Sequence, residues 1–158
     1  MFGELVAAMT GAVAAGACFV GVYSGGAWLA ERLAREVPGD HPVGFLDVSF
    51  YRDDLARAGL KATVRRTELP FAIEGADVVL IDDVLYTGRS IRAAINVLFD
   101  YGRPRSVELA VLADRGGREL PIAADYCGGE VIVPVDQLLE LERDEAGQFR
   151  FRCVPRRR

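Results

Sequence analysis

The sequence predicts an α/β fold, a central and mostly parallel sheet flanked by helices, and three observations carry that prediction. Short apolar runs such as Val78-Val79-Leu80-Ile81 and Leu109-Ala110-Val111-Leu112 lack the polar alternation of a half-exposed strand; runs of this kind suit strands covered on both faces. Helix signals alternate with them along the chain, as a parallel sheet with crossover helices requires. The central run leads into two adjacent carboxylates and a polar turn, at the strand end where open α/β sheets place their ligands.

Taken in order, the chain opens with a helix predicted from Gly3 to about Ala15, followed by a buried strand over Phe19 to Tyr23. Leu5 through Val22 carries no charge and reaches about the length of a membrane span. It is rich in Ala and Gly, however, and Glu4 stands where a signal peptide wants positive charge. A helix and strand of a cytoplasmic domain is the expectation, with no membrane segment. Ala27 to Val37 reads as a second helix, with Leu29, Ala30, Leu33 and Val37 on one face and Pro38-Gly39 ending it. Val43 to Phe50 is the second strand. Residues 51–75 form a polar stretch of little regular period, longer than an ordinary connection, and a flexible functional loop is expected there. Val78 to Ile81 is the central strand. The helix after it, Ser90 to Tyr101, has Ile91, Ala94, Ile95, Leu98 and Phe99 as its apolar stripe and Gly102 as its cap. Val107 to Leu112 is a further buried strand. Val131-Ile132-Val133 and a hairpin, Leu138 to Leu141 against Phe149 to Val154 across Ala146-Gly147, finish a single domain spanning residues 1–158.

The chemistry concentrates after the central strand. Thr87, Gly88 and Ser90 supply hydroxyls, a permissive backbone and free N–H groups at a helix start, which suit a phosphate. Asp82 and Asp83 cannot serve that same phosphate. They suit sugar hydroxyls or a metal beside it, so the implied ligand is a phosphorylated sugar. Gly21-Val22-Tyr23-Ser24-Gly25-Gly26 also joins a strand to a helix, but is too irregular for a dinucleotide glycine motif. The formal net charge of −4 over 158 residues argues against broad non-specific nucleic-acid binding. Arg65-Arg66, Arg103 with Arg105, and Arg156-Arg157-Arg158 read as solvated cationic patches. Cys18, Cys127 and Cys153 show no ligand spacing and are expected to stay reduced.

Four motifs in register point to a family. Tyr51-Arg52-Asp53-Asp54-Leu55, Asp83-Val84-Leu85-Tyr86-Thr87-Gly88-Arg89, Gly102-Arg103-Pro104, and Asp114-Arg115-Gly116 with Arg118-Glu119-Leu120-Pro121-Ile122 resemble the PyrR family. These are pyrimidine operon regulators that are also uracil phosphoribosyltransferases of type I. The resemblance runs from about Phe19 to the C-terminus and implies the type I phosphoribosyltransferase fold, with a small hood over residues 114–130. It implies that Asp82 and Asp83 hold the ribose hydroxyls of 5-phosphoribosyl-1-pyrophosphate (PRPP). Val84, Leu85, Tyr86, Thr87, Gly88, Arg89 and Ser90 would form the loop around its 5-phosphate. Tyr23, Ser24, Gly25 and Gly26 would be the pyrophosphate loop, and Arg52 would reach pyrophosphate when the lid closes. Asp114, Arg115 and Gly116, in a hood continuing to Tyr126, would lie over uracil. Mg²⁺ is implied through PRPP near Asp82 and Asp83, with no direct protein ligand. UMP or UTP and a homodimer or higher homo-oligomer are implied as well.

The departures from the family pattern bear on function. Lys-Thr-Arg-Gly is common in family members where this chain has Tyr23-Ser24-Gly25-Gly26. Two cations that would face pyrophosphate are absent, which predicts weaker charge stabilisation. The early start of the chain suggests that the family's first helix is shortened or trimmed here. Gly117, Ala123 and Gly129 stand where family members tend to carry His, Arg and Lys, thinning the basic surface expected for RNA. The principal reading is therefore synthesis of UMP and pyrophosphate from uracil and PRPP. The alternatives are a nucleotide-sensing RNA-binding attenuation regulator with vestigial catalysis, and the same chemistry on a purine or orotate.

Overall fold

The computed structural model describes residues 1–49 and 66–156. Arg52, Arg65 and most of the expected lid loop lie outside the described residues. The elements are α1 (Phe2–Met9), β1 (Cys18–Val22), α2 (Gly25–Glu36), β2 (Val43–Leu46), β3 (Asp77–Leu85), α3 (Arg89–Asp100), β4 (Ser106–Asp114), β5 (Tyr126–Cys127), β6 (Gln137–Arg143) and β7 (Phe149–Pro155); α3 is thus the helix after the central strand.

The first five strands make one parallel sheet in the order β2-β1-β3-β4-β5, and β6 and β7 form an antiparallel hairpin. Two apolar clusters, one on each face, hold the sheet between layers. Strand alternation sorts the central run: Val78 and Leu80 join Ile91, Ala94 and Leu98 of α3, whereas Val79 and Ile81 join Leu5 of α1 and Leu29 and Leu33 of α2. Leu80 and Ile81 are fully buried, each contributing about 1.5–3 kcal/mol relative to exposure. The hairpin packs on the α1–α2 side through Leu141, Phe149 and Phe151. Its turn is closed by Asp144, whose carboxylate accepts the Gln148 N–H at 2.8 Å, with Gly147 at φ +79°.

Several expectations shift. The first helix ends at Met9, not Ala15, because Thr10 leaves the helical backbone at ψ 120°; both its N–H and its hydroxyl donate to the Val6 carbonyl. The second strand ends at Leu46, where the Asp47 carboxylate accepts the Ser49 N–H and turns the chain. The stretch before β3 is not loop throughout. Phe45 and Glu68 exchange both backbone hydrogen bonds, and Ile73 enters the core at 2 % exposure. In α3 the buried face is Ile91, Ala93, Ala94, Val97 and Leu98, which leaves Phe99 51 % exposed. Val131 to Val133 forms no strand, and Ile132 is fully exposed. The fifth strand is instead Tyr126–Cys127. Tyr126 therefore belongs to the sheet and not to the hood: its hydroxyl donates to Glu108 at 3.0 Å. Burial and that carboxylate push its pKa up to about 12.

Candidate active site

The strand order creates the site. The chain leaves β1 for β2 on one side and returns to β3 on the other, so β1 and β3 flank a switch point, where a crevice opens beyond the strand ends. Pairing of β1 with β3 runs only to Gly21↔Ile81, while β3 and β4 stay paired to Leu85↔Asp114. Asp82 and Asp83 thus lie where β1 turns away. They sit inside β3 and not past its end, because β4 keeps the strand regular to Leu85. The Asp82 carboxylate accepts the Asp83 N–H at 2.9 Å, and the Asp83 carboxylate accepts the Val84 N–H at 3.0 Å. Asp82 is 8 % exposed.

The turn after β1 is pressed against this strand. Tyr23 donates its N–H to the Leu46 carbonyl at 3.0 Å, its ring lies 5.5 Å from that of Phe45, and the Tyr23–Ser24 peptide is cis. Ser24 then opens α2 without a side-chain cap, leaving the first-turn N–H groups to an outside acceptor. Glycines make the approach possible. A Cβ on Gly25 would sit 2.5 Å from the Asp83 carboxylate, and one on Gly26 would overlap the Ile81 carbonyl.

The turn after β3 is held from behind by residues 115–120. The Leu85 carbonyl accepts the Arg115 N–H at 3.0 Å, the Tyr86 carbonyl accepts Nη1 of Arg118 at 2.8 Å, and the Thr87 carbonyl accepts the N–H groups of Glu119 and Leu120 at 3.0 and 3.1 Å. Arg89 pairs with Glu119 at 2.6 Å. Gly88, at φ +89°, starts α3 and has the Ile122 and Leu120 side chains against it. Among the described residues no acceptor meets the N–H of Thr87 or of Gly88. Two helix N-termini, of α2 and α3, thus flank the acids, and each is suited to an anion.

The expected hood residues have structural partners. The Asp114 carboxylate accepts the Gly116 N–H at 2.8 Å and pairs with Arg118. Burial pushes its carboxyl up, but the hydrogen bonds from Arg118 and Gly116 outweigh that and hold it below the usual range. Arg115 turns its guanidinium to the Gln137, Val133 and Pro134 carbonyls at 3.1, 3.4 and 3.3 Å, and stacks 4.0 Å from the centre of the Tyr86 ring. It therefore braces the hairpin junction. Gly117, at φ +74°, lies against the edge of the same ring.

Arg118 and Glu119 are site-supporting residues whose roles sequence reasoning missed. Their partners, at residues 86 and 89, are some thirty positions away, and only the parallel pairing of β3 with β4 brings them together. Among the described residues no three His, Cys, Asp or Glu side chains gather as a metal site, and no helix is long and apolar enough to cross a membrane. Two surface cavities, of about 390 and 270 Å³, lie against the hairpin at Trp28 and at Phe2, away from the acids. The single histidine, His41, is 7 % exposed and stacked on Phe19.

Comparison with known proteins agrees with this geometry. Residues 16–138 match the phosphoribosyl transferase domain family. The chain is 47 % identical over 156 residues to the bifunctional protein PyrR of Ralstonia nicotianae, covering 97 % of this chain and 89 % of that protein. It is 54 % identical over 127 residues to the bifunctional protein PyrR of Pseudomonas aeruginosa, covering 80 % and 70 %. Among solved structures, a hypoxanthine-guanine phosphoribosyltransferase from Bacillus anthracis superimposes with a TM-score of 0.65 at 20 % identity, covering 82 % of this chain and 76 % of that one. A hypoxanthine phosphoribosyltransferase from Staphylococcus aureus does so at 0.59 and 24 %, covering 82 % and 68 %. At those identities the likeness is one of fold.

Proposed function

This chain belongs to the PyrR family of phosphoribosyltransferases, and from that premise we propose that it transfers the phosphoribosyl group of PRPP to uracil, releasing pyrophosphate. The observation that carries the reading is the pairing of two acids with two anion-ready helix starts at one switch point. The Thr87 and Gly88 N–H groups would receive the 5-phosphate, and Asp82 and Asp83 the ribose hydroxyls. The first turn of α2, from Gly25, would receive pyrophosphate. Of Asp114, Arg115 and Gly116, the Arg115 and Gly116 carbonyls would be the groups that meet the base, because the two side chains and the three N–H groups are committed elsewhere. In the reaction a uracil ring nitrogen bonds to the anomeric carbon as the bond from that carbon to the pyrophosphate oxygen breaks, and the proton on that nitrogen passes to water or to the departing pyrophosphate. Positive charge develops on the sugar and negative charge on the leaving group, so positioning and fixed dipoles carry most of the rate.

Mg²⁺ fits this donor set. Two neighbouring carboxylates and a phosphorylated substrate suit a hard ion that keeps most of its waters; Asp82 and Asp83 would hold it through substrate oxygens and water. When bound, it neutralises charge on the pyrophosphate. The regulatory role of the family has less support. Arg118 is turned inward, which thins the basic surface further, whereas Arg105 pairs with Asp77 at the surface.

Pyrophosphate release from PRPP and Mg²⁺ on adding uracil tests the proposal. Uracil-dependent release is expected. A protein that binds PRPP yet turns over orotate or a purine, and not uracil, would overturn the choice of base.

A further inference from the structure

The carbonyls of Leu85, Tyr86 and Thr87 all face away from the crevice, toward residues 115–120. A trans peptide is planar, so its N–H points opposite to the preceding C=O; the cis peptide recorded in this chain is elsewhere, at Tyr23–Ser24. Each carbonyl drawn toward the hood therefore turns the next N–H toward the crevice, and the N–H groups of Thr87 and Gly88 have no acceptor among the described residues.

Three of the four donors behind the turn are backbone groups that follow from strand pairing and the chain path. The fourth is a side chain. Arg118 is one-quarter exposed and joins three acceptors at once: the Asp114 carboxylate, the Ile122 carbonyl at 2.9 Å and the Tyr86 carbonyl at 2.8 Å. Asp114 ends β4 and Ile122 packs on the core beneath α3, so the guanidinium is anchored at two points while its third bond sets the Tyr86–Thr87 peptide. A planar fork of five donors can do this; a single ammonium cannot.

We propose that Arg118 is a positioning residue for the substrate phosphate: it fixes the Tyr86–Thr87 peptide plane so that the Thr87 N–H faces the phosphate seat. The inference rests on the phosphoribosyl reading of the site and adds to it a residue that touches no substrate. It also explains why a cation next to the anion site is turned away from it, toward two carbonyls and a carboxylate.

Ribose 5-phosphate is the probe, because it carries the 5-phosphate without pyrophosphate or base. In calorimetry, Arg118→Gln should weaken its binding roughly tenfold, the scale of one charge-assisted hydrogen bond. Arg118→Lys should lie between the two, since it keeps the ion pair with Asp114 but cannot reach all three acceptors. Asp77→Asn, which breaks an ion pair at the opposite end of β3, controls for lost stability and should leave the affinity unchanged. In the unaltered protein the Thr87 amide resonance should move on saturation with ribose 5-phosphate. Equal binding by folded Arg118→Gln, or a Thr87 amide that does not respond at saturation, overturns this inference and leaves the phosphoribosyl reading standing. No binding by the unaltered protein overturns both.

Discussion

In the proposed reaction Asp83 holds the sugar, and its surroundings separate that role from its role in the fold. Its carboxylate accepts one backbone N–H and lies in the crevice against Gly25. Asp83→Asn keeps an oxygen for the Val84 N–H, so the melting temperature should change little. PRPP affinity should fall about tenfold to a hundredfold, the cost of weakening hydrogen bonds to a charged acceptor. Calorimetry beside a thermal melt checks both; unchanged affinity would remove Asp83 from the sugar site. The run from Asp82 to Ser90 was legible in the sequence as strand end, turn and helix start because these features lie between neighbours in the chain. Arg115 was legible as a residue and not as a role. The family resemblance implies a place over the base, and the Val133, Pro134 and Gln137 carbonyls and the Tyr86 ring take its guanidinium. Nothing in a linear sequence shows three carbonyls converging from a segment some twenty residues away.

At the scale of elements, the turn from β1 to α2 shows how glycine sets the distance between backbone and acid. Gly25 and Gly26 both open α2, yet their substitutions should behave differently. The Cβ of Gly25→Ala would meet the movable end of the Asp83 side chain. That variant should fold and melt near the unaltered protein, while kcat/KM drops roughly tenfold or more as the acid is displaced. The Cβ of Gly26→Ala would meet the Ile81 carbonyl, which cannot move without the central strand. Overpacking of that kind costs about 1–3 kcal/mol, so this variant should lose stability first. Chemical denaturation and steady-state kinetics on the pair separate the two effects, and equal melting temperatures would contradict the packing described. The strands and α2 were legible from apolar runs and helical period. The end of α1 was not read, although Gly11 at φ +75° just past Thr10 is a helix-stop signal, because the Ala-rich run beyond it continues the helical composition; the shift of Phe99 out of the α3 stripe depends on which neighbours β2 and β4 supply. The short β5 was missed because two residues give no period to read.

For the whole molecule, the parallel sheet ties the two ends of β3 to different charges, and acid should release both. Hydrogen bonds from Arg105 and Ser106 hold the Asp77 carboxyl at about 2, and Asp114 is also held below the usual range. A folded-state pKa below the unfolded value adds stability that is complete above about pH 3.9 and is lost as pH falls toward the folded value. Stability against urea should therefore fall as pH drops from about 4 toward about 2, and Asp77→Asn should flatten that dependence; an unflattened profile would contradict the Asp77–Arg105 contribution. The same sheet brings the α2 and α3 starts to either side of the acids, and the account depends on that arrangement receiving a phosphorylated pentose. Calorimetric titration of the folded protein with PRPP and Mg²⁺ is the direct measurement. Saturable, one-to-one heat that weakens in Asp83→Asn is the predicted result; no heat from protein that melts cooperatively would contradict it.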